Sequence, residues 1–390
     1  MENGEFWNMQ KRIRVSGINP RYLEDETGKT YLPIGCNLCF FRDSERVPEE
    51  TVLETYRAWM TDFAANGGNF MRVWLGVPFF DVMPERIGRD DGTATEHIRY
   101  IVNLAERLGL RVKFTLEHFR SIEGQSEAES FPGVVKFHKP LYAGLVSTMR
   151  EYLNSPECRK AYLDKARYLA EQGFGDSPAV IAWELWNEIN SIGPVRDIGP
   201  WSDYMIGELR KIFPRQLIVQ NLGSFSGTSA YQIYDYLATV RNNGFLQAHR
   251  YLDPGAQMDV CRGAMDVLCA DCIRELHDRN PAVPAILAET GADVLLQRGS
   301  QARVALQQPA AEGDAVGLIV EFPMQTVKAR CCMTCCLPRF SPAARGADNR
   351  GTGITSIFPV TGFGTILRAS QKRWRGSTPR RNSLPRSIRR

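Results

Sequence analysis

Residues 179–188, AVIAWELWNE, are the stretch on which the fold assignment rests. The run is almost wholly apolar, contains no Gly or Pro, and is typical of a strand buried on both faces of a parallel sheet. It ends in two polar residues, Asn187 and Glu188. Functional side chains in barrels of parallel strands lie at the carboxyl ends of those strands. The stretch therefore predicts a buried strand that ends at a functional site.

Six similar runs flank this strand and predict further strands. They are YLPIGCN (31–37), NFMRVWL (69–75), RVKFTLEH (111–118), QLIVQNLG (216–223), GFLQAHRY (244–251) and VPAILAET (283–290). Amphipathic stretches at 48–68, 95–109, 201–213 and 258–279 separate several of them and predict helices. A short hairpin with its turn at Thr27-Gly28-Lys29 precedes the first strand. Regular alternation of strand and helix predicts an α/β protein of the (β/α)₈ TIM barrel type.

Composition and charge divide the 390 residues at about position 293. The whole chain is 43% hydrophobic and 24% charged, which is typical of a globular protein. Residues 294–390 contain 16 Arg and Lys against 4 Asp and Glu, whereas residues 1–293 contain 32 basic and 40 acidic residues. We therefore expect a barrel of seven recognisable units at 1–293 and an atypical Arg/Cys-rich segment at 294–390.

The basic segment allows two interpretations. A basic tail can bind nucleic acid or acidic surfaces. The abrupt change in charge, Cys and Trp usage instead favours a change of reading frame near residue 293 and a non-native or disordered C-terminus. Nothing in the barrel part indicates a nucleic-acid partner. The eighth β-α unit is then missing or replaced, and residues 317–324, GLIVEFPM, are the one strand-like substitute soon after Glu289.

Polar residues lie within or at the ends of the predicted strands, where a barrel places its site. Arg72 lies in the second strand and His118 ends the third. Asn187 and Glu188 end the fourth, His249 and Tyr251 end the sixth, and Glu289 ends the seventh. Several such groups at equivalent strand ends need partners near the barrel mouth, which points to a shared site.

The strings WELWNEIN, ILAETG, FMRVW and AHRY resemble glycoside hydrolase family 5, the cellulase and β-mannanase family of retaining glycosidases. The resemblance covers roughly residues 10–293. It implies that Glu188 is the acid/base and Glu289 the nucleophile, because retaining hydrolysis divides these two roles between a pair of carboxyl groups.

The same resemblance implies the roles of the other residues. Arg72 and Tyr251 would hold Glu289 ionised, and Asn187 would bind the sugar 2-hydroxyl. His118 and His249 would line the sugar subsite. Glu184 is interpreted as a packing or ion-pair residue.

The expected substrate is an oligo- or polysaccharide with β-linkages, hydrolysed without a metal or organic cofactor. The pairs Cys36/Cys39 and Cys269/Cys272 lack further ligands at zinc-site spacing. No apolar run approaches the roughly 18–20 residues of a membrane span, and the start lacks the apolar core of a secretory signal, which predicts a cytoplasmic protein without membrane contact. The alternative is an impaired or carbohydrate-binding relative that lacks turnover because its last unit is absent.

Overall fold

The computed structural model describes residues 10–41, 44–82, 92–118, 145–223, 237, 240, 242–252, 259–292 and 318–320. Most of the basic segment, including the four cysteines at 331–336 and the tryptophan at 374, lies outside the described residues. Within the described part, no helix has both the length and the apolar character that crossing a bilayer requires.

Strands and helices alternate, as the sequence predicts, over residues 34–219 and over residues 246–292. They are β1 Ile13–Val15, β2 Leu23–Asp25, β3 Thr30–Tyr31, β4 Ile34–Asn37, α1 Glu49–Ala65, β5 Phe70–Trp74, α2 Thr93–Leu108, β6 Arg111–Glu117, α3 Met149–Asn154, α4 Pro156–Glu171, β7 Val180–Trp186, α5 Val195–Ile212, β8 Leu217–Val219, β9 Asn221–Leu222, β10 Leu246–Leu252, α6 Met265–Arg279, β11 Ala285–Ala292 and β12 Leu318–Val320. The predicted helix at 258–279 is divided into a 3₁₀ turn, Asp259–Arg262, and α6. Ala264 between them has extended backbone, with φ −89° and ψ 146°, which interrupts the helix.

The main sheet is parallel throughout, in the order β8-β7-β6-β5-β4-β12-β11-β10-β9. All of its carboxyl ends therefore lie on one edge. Its two terminal strands, β8 and β9, are separated in the chain by Gln220 alone. The strand order thus begins and ends on the same stretch of six residues, 217–222.

The Gln220 side chain explains the interruption between β8 and β9. Its Oε1 accepts from Trp186 N at 3.1 Å, and its Nε2 donates to Trp186 O at 2.7 Å. A side-chain amide here makes the pair of hydrogen bonds that a neighbouring strand would otherwise make with β7. The backbone of β9 consequently pairs with β10 instead.

One strand of the main sheet, β12, comes from the segment beyond residue 293 and lies between β11 and β4. Leu318 lies opposite Leu287 of β11, and β12 also pairs with Ile34, Gly35 and Cys36 of β4. These residues belong to the run 317–324 that the sequence offered as a substitute. The division of the chain at residue 293 stays a prediction, and β12 lies on its far side.

A small antiparallel sheet, β1-β2-β3, covers the amino end of the main sheet. Its turn is the predicted one, and Asp25 Oδ1 accepts from Thr27 N at 2.8 Å, beside Gly28 at φ +85°. Ile13 and Leu23 belong to one apolar cluster whose other members lie mostly at or near the starts of the main strands: Phe70, Ile181, Ala182, Val219, Phe245, Ile286 and Ala288. The opposite edge is where the predicted site residues lie.

The helices pack on the sheet through apolar faces at helical spacing. Ile98, Ile101 and Ala105 of α2 are completely buried, and the helix ends at Gly109, whose φ of +72° suits glycine. In α4, Pro156 is the first residue and the Ser155 hydroxyl accepts from Cys158 N at 3.2 Å. Such packing and capping hold the strand ends in fixed positions.

Candidate active site

Seven side chains singled out in the sequence lie on β5, β10 and β11 or just after β6 and β7. Six of them form one connected group at the carboxyl edge of the sheet: Arg72, Asn187, Glu188, His249, Tyr251 and Glu289.

Glu289 is held by donors from two sides. An amino group of Arg72, Nη1, donates to its Oε1, and the Tyr251 hydroxyl donates to its Oε2 at 2.8 Å. The side chain of Glu289 is only 2% exposed. Glu289 is therefore a buried carboxyl group that accepts hydrogen bonds from a guanidinium and from a phenol.

Glu188 has a more open environment and an uncommon backbone. Its side chain is 20% exposed, and its φ of 50° is the one positive φ outside glycine among the described residues. His249 Nδ1 lies 2.8 Å from Glu188 Oε1, and Asn221 Oδ1 accepts from Glu188 N at 2.6 Å. The carboxyl group is therefore oriented by β9 and β10 while it still reaches solvent.

The two glutamates lie side by side with His249 between them. An oxygen of Glu188, an oxygen of Glu289 and a ring nitrogen of His249 all lie within 4.8 Å of one another. His249 Nδ1 is also 3.2 Å from Glu289 Oε2. The buried carboxyl group of Glu289, which pairs with Arg72, therefore lies next to the partly exposed carboxyl group of Glu188.

His118 lies beside this group. Its ring packs on Trp74 with 5.0 Å between ring centroids, and Arg72 lies over the same tryptophan at 5.5 Å. Gly76 makes room for it, since a Cβ there would come within 2.8 Å of His118 Nδ1. The imidazole is 1% exposed, and it is linked to the rest of the site through Trp74.

A buried charge network lies beneath the glutamates. Arg72 and Lys113 both form ion pairs with Glu184, whose Oε1 also accepts from Thr115 at 2.8 Å. Gln247 accepts from Lys113 at 2.6 Å and donates to Glu184 at 2.6 Å. Glu184, interpreted from the sequence as a packing or ion-pair residue, forms ion pairs with two basic side chains.

Burial and pairing shift the pKa values in this network. Burial raises the pKa of Glu184, but Arg72 and Lys113 outweigh it and lower that pKa to about 2. Burial lowers the pKa of Lys113 to about 8, against the opposing effect of Glu184. Burial likewise lowers the pKa of Arg72, but Glu184 and Glu289 raise it above its ordinary value. Arg72 therefore stays charged between the two carboxylates.

Sequence reasoning missed the roles of Lys113 and Asn221. Lys113, Thr115 and Glu117 alternate with apolar residues along β6, and this period of two marks one polar face of a buried strand. Asn221 ends the fifth predicted strand, as the other site residues end theirs. Both features can be read in the sequence, but neither indicates which residues Lys113 and Asn221 contact.

Within the described residues, Glu188, His249 and Glu289 are the one set of three side chains close enough to share a metal ion. Each of them already takes part in the hydrogen bonds described above, which account for the cluster without a cation. Cys36, Cys39, Cys269 and Cys272 are buried, and none of them forms a disulfide within the described residues.

No protein-family model and no curated protein matches this chain. Solved structures do match. A glycoside hydrolase family 5 mannosidase from Rhizomucor miehei is 14% identical, with a TM-score of 0.54 over 72% of this chain and 73% of that chain. An exo-β-1,4-mannosidase from Opitutaceae bacterium strain TAV5 is 16% identical, with a TM-score of 0.57 over 91% of this chain and 62% of that one.

An endo-β-1,4-mannanase from Thermotoga petrophila is 14% identical, with a TM-score of 0.53 over 91% of this chain and 79% of that chain. At these identities the similarity shows a shared fold. The fold is the one adopted by glycosidases of family 5, the family that the sequence resembles.

Proposed function

We propose that this chain is a retaining glycoside hydrolase that cleaves β-linked glycans by double displacement, with Glu289 as the nucleophile and Glu188 as the acid/base. The observation that carries the proposal is the separation of the two carboxyl groups, whose nearest oxygens lie within 4.8 Å. Retaining enzymes hold their carboxyl groups about 5–5.5 Å apart, whereas inverting enzymes need about 6.5–9.5 Å to admit a water molecule.

The surroundings of the two glutamates support this division of roles. Glu289 is buried and accepts from Arg72 and Tyr251, which favours the ionised form that attacks the anomeric carbon. Glu188 Oε1 lies 2.8 Å from His249 Nδ1. Glu188 is also partly exposed, which suits a group that must release a proton and take one back.

The reaction then follows in two steps. Glu289 bonds to the anomeric carbon while Glu188 gives its proton to the departing glycosidic oxygen. In the second step Glu188 removes a proton from water, whose oxygen displaces Glu289 from the sugar. Atoms and charge balance without a cofactor.

We assign Asn187 to the sugar 2-hydroxyl. Its Oδ1 accepts from Arg72 Nη2 at 2.6 Å, so its amide NH₂ is the donor that can face the substrate. We assign His118 and His249 to the walls of the same subsite, His118 through its packing on Trp74.

We further propose that the main sheet is a closed (β/α)₈ barrel in which β12 is the eighth strand. In this barrel β8 and β9 together form one strand, and the side chain of Gln220 between them bonds to Trp186 of β7. A closed sheet leaves no unpaired strand edge. The order of nine strands, with both ends on residues 217–222, supports this interpretation.

Azide rescue tests the roles of the two glutamates. Aryl β-glucosides and β-mannosides serve as substrates, because the mannosidases and the mannanase above share the fold. Glu289→Ala should abolish turnover, and azide should restore it with an inverted glycosyl azide. Azide rescue of Glu188→Ala should instead give a retained product.

Glu171→Ala, at the exposed end of α4, is the matched control and should behave like the unmodified protein. Substrate binding without turnover by the unmodified protein would favour a carbohydrate-binding role. Inverted product from both glutamate variants would contradict the assigned roles.

A further inference from the structure

Asn221 contacts both Glu188, the proposed acid/base, and His249. The residue is completely buried at the start of β9. Its Oδ1 is 2.6 Å from Glu188 N, and its Nδ2 is 3.0 Å from His249 Nε2. One amide side chain therefore contacts both the backbone of Glu188 and the ring that contacts its carboxyl group.

Donor chemistry fixes the orientation of this amide. The backbone N–H of Glu188 can only donate, so the atom of Asn221 that faces it is the carbonyl oxygen. The NH₂ group then faces His249 and can only donate, so Nε2 must accept. A neutral imidazole that accepts at Nε2 carries its proton on Nδ1.

This tautomer matches the contact on the other side of the ring. Nδ1 lies 2.8 Å from Glu188 Oε1, where an N–H can donate to the carboxyl group. We infer that Asn221 is a positioning residue: it fixes the Nδ1–H tautomer of His249 and, through that ring and through the backbone, orients Glu188. The consequence for catalysis rests on the proposed function, whereas the tautomer does not.

The backbone of Glu188 gives a second reason for this arrangement. Its left-handed conformation, φ 50° and ψ 56°, is unfavourable for a residue with a side chain, so it needs support from its surroundings. The Asn221 acceptor satisfies the N–H at this turn. Nearby, Gly223 leaves space that a Cβ would take from Glu188, at 3.2 Å from its Cβ and Cδ. Asn221 thus binds the backbone of Glu188, and Gly223 leaves space for its side chain.

The tautomer can be measured directly by ¹⁵N NMR of the full chain labelled at histidine. The sequence contains five histidines, so the spectrum is simple, and His249→Gln identifies the signals of His249. At mildly alkaline pH the unmodified protein should show a protonated Nδ1 and an unprotonated Nε2. In Asn221→Asp the carboxylate can only accept, so Nε2 should gain a proton.

Asn190→Asp is the matched control. Asn190 Oδ1 accepts from Gly223 N at 2.6 Å, so the substitution adds a negative charge near Glu188 while keeping that acceptor. It should leave the His249 signals unchanged. A protonated Nε2 in the unmodified protein, or an Asn221→Asp spectrum like that of the unmodified protein, would overturn the inference.

Kinetics with two leaving groups test the effect on Glu188. Poor leaving groups need the acid, whereas a dinitrophenolate departs with little help. Asn221→Ala should lower kcat/KM for a poor leaving group by roughly 10- to 100-fold, part of the ~10²–10⁴-fold that a positioned acid contributes. The loss with the dinitrophenyl glycoside should be much smaller.

Equal losses with both substrates would show a merely structural role for Asn221. Asn221→Asp provides a second variant if Asn221→Ala does not fold, which circular dichroism will show. An unmodified protein that hydrolyses neither glycoside would refute the proposed function and leave the NMR test of the tautomer intact.

Discussion

Replacing Glu184 by glutamine should make the protein less stable at neutral pH and less sensitive to acid. Glu184 is fully buried and forms ion pairs with Arg72 and Lys113. Removing one partner of a buried ion pair typically costs about 3–5 kcal/mol, because the remaining charge stays buried without compensation. We expect a loss of that size in the free energy of unfolding at pH 7 for Glu184→Gln.

The pH dependence follows from the pKa of Glu184, which Arg72 and Lys113 lower to about 2 against the opposing effect of burial. The ordinary value is 4.5. The ionised carboxylate therefore contributes stability above pH 4.5, and this contribution is lost as the pH falls through about 2. One pKa unit corresponds to about 1.4 kcal/mol, so the full contribution is about 3 kcal/mol. About 2 kcal/mol of it should disappear between pH 7 and pH 3.

Urea unfolding followed by tryptophan fluorescence, from pH 7 to pH 3, measures this difference. The gap between the unmodified protein and Glu184→Gln should shrink by about 2 kcal/mol at the acid end. Glu171→Gln, at an exposed site, is the control and should give a curve parallel to that of the unmodified protein. A Glu184→Gln curve that also ran parallel would refute the assigned pairing of Glu184.

Three further predictions concern other parts of the molecule. Arg72→Lys keeps the charge but loses the planar fork that reaches Glu289, so kcat/KM for aryl glycosides should fall roughly 10²- to 10³-fold without loss of fold. Gln220→Leu leaves Trp186 N and O without their side-chain partner, so chemical denaturation should show a loss of about 2–4 kcal/mol. Burial raises the pKa of the Cys272 thiol to about 12 and also raises that of Cys36, so peptide mapping after iodoacetamide treatment should find both unmodified until urea is added.

The positions of the main strands could be predicted from sequence because each is a short apolar run between polar or glycine-containing segments. Residues 180–186 and 111–117 lie within the runs predicted for them, and the predicted turn at Gly28 is present. The site residues could be located for a related reason. In a parallel sheet all carboxyl ends share one edge, and in a barrel the loops that follow them build one site, so polar residues at strand ends are candidates for that site.

The remaining features depend on contacts between residues far apart in the chain. The break at Gln220 arises from hydrogen bonds to Trp186, 34 residues away, which no local pattern in QLIVQNLG reveals. Leu318 pairs with Leu287 of β11 and with Ile34 of β4, so the position of β12 depends on two strands that lie far apart in the chain. Lys113 pairs with Glu184 on the neighbouring strand of the sheet, a partner that the local sequence of β6 does not identify.

Trapping the covalent intermediate tests the central claim most directly. The full chain is incubated with dinitrophenyl 2-deoxy-2-fluoro-β-glucoside and with its manno counterpart. The fluorine slows both formation and breakdown of a glycosyl-enzyme, whereas the good leaving group speeds its formation alone, so the intermediate accumulates. Peptide mapping by mass spectrometry then locates the label. We predict one fluorosugar per chain, bound to Glu289, and no label in Glu289→Gln. A label on Glu188 or elsewhere, or hydrolysis of unfluorinated substrate with inversion at the anomeric carbon, would contradict the account.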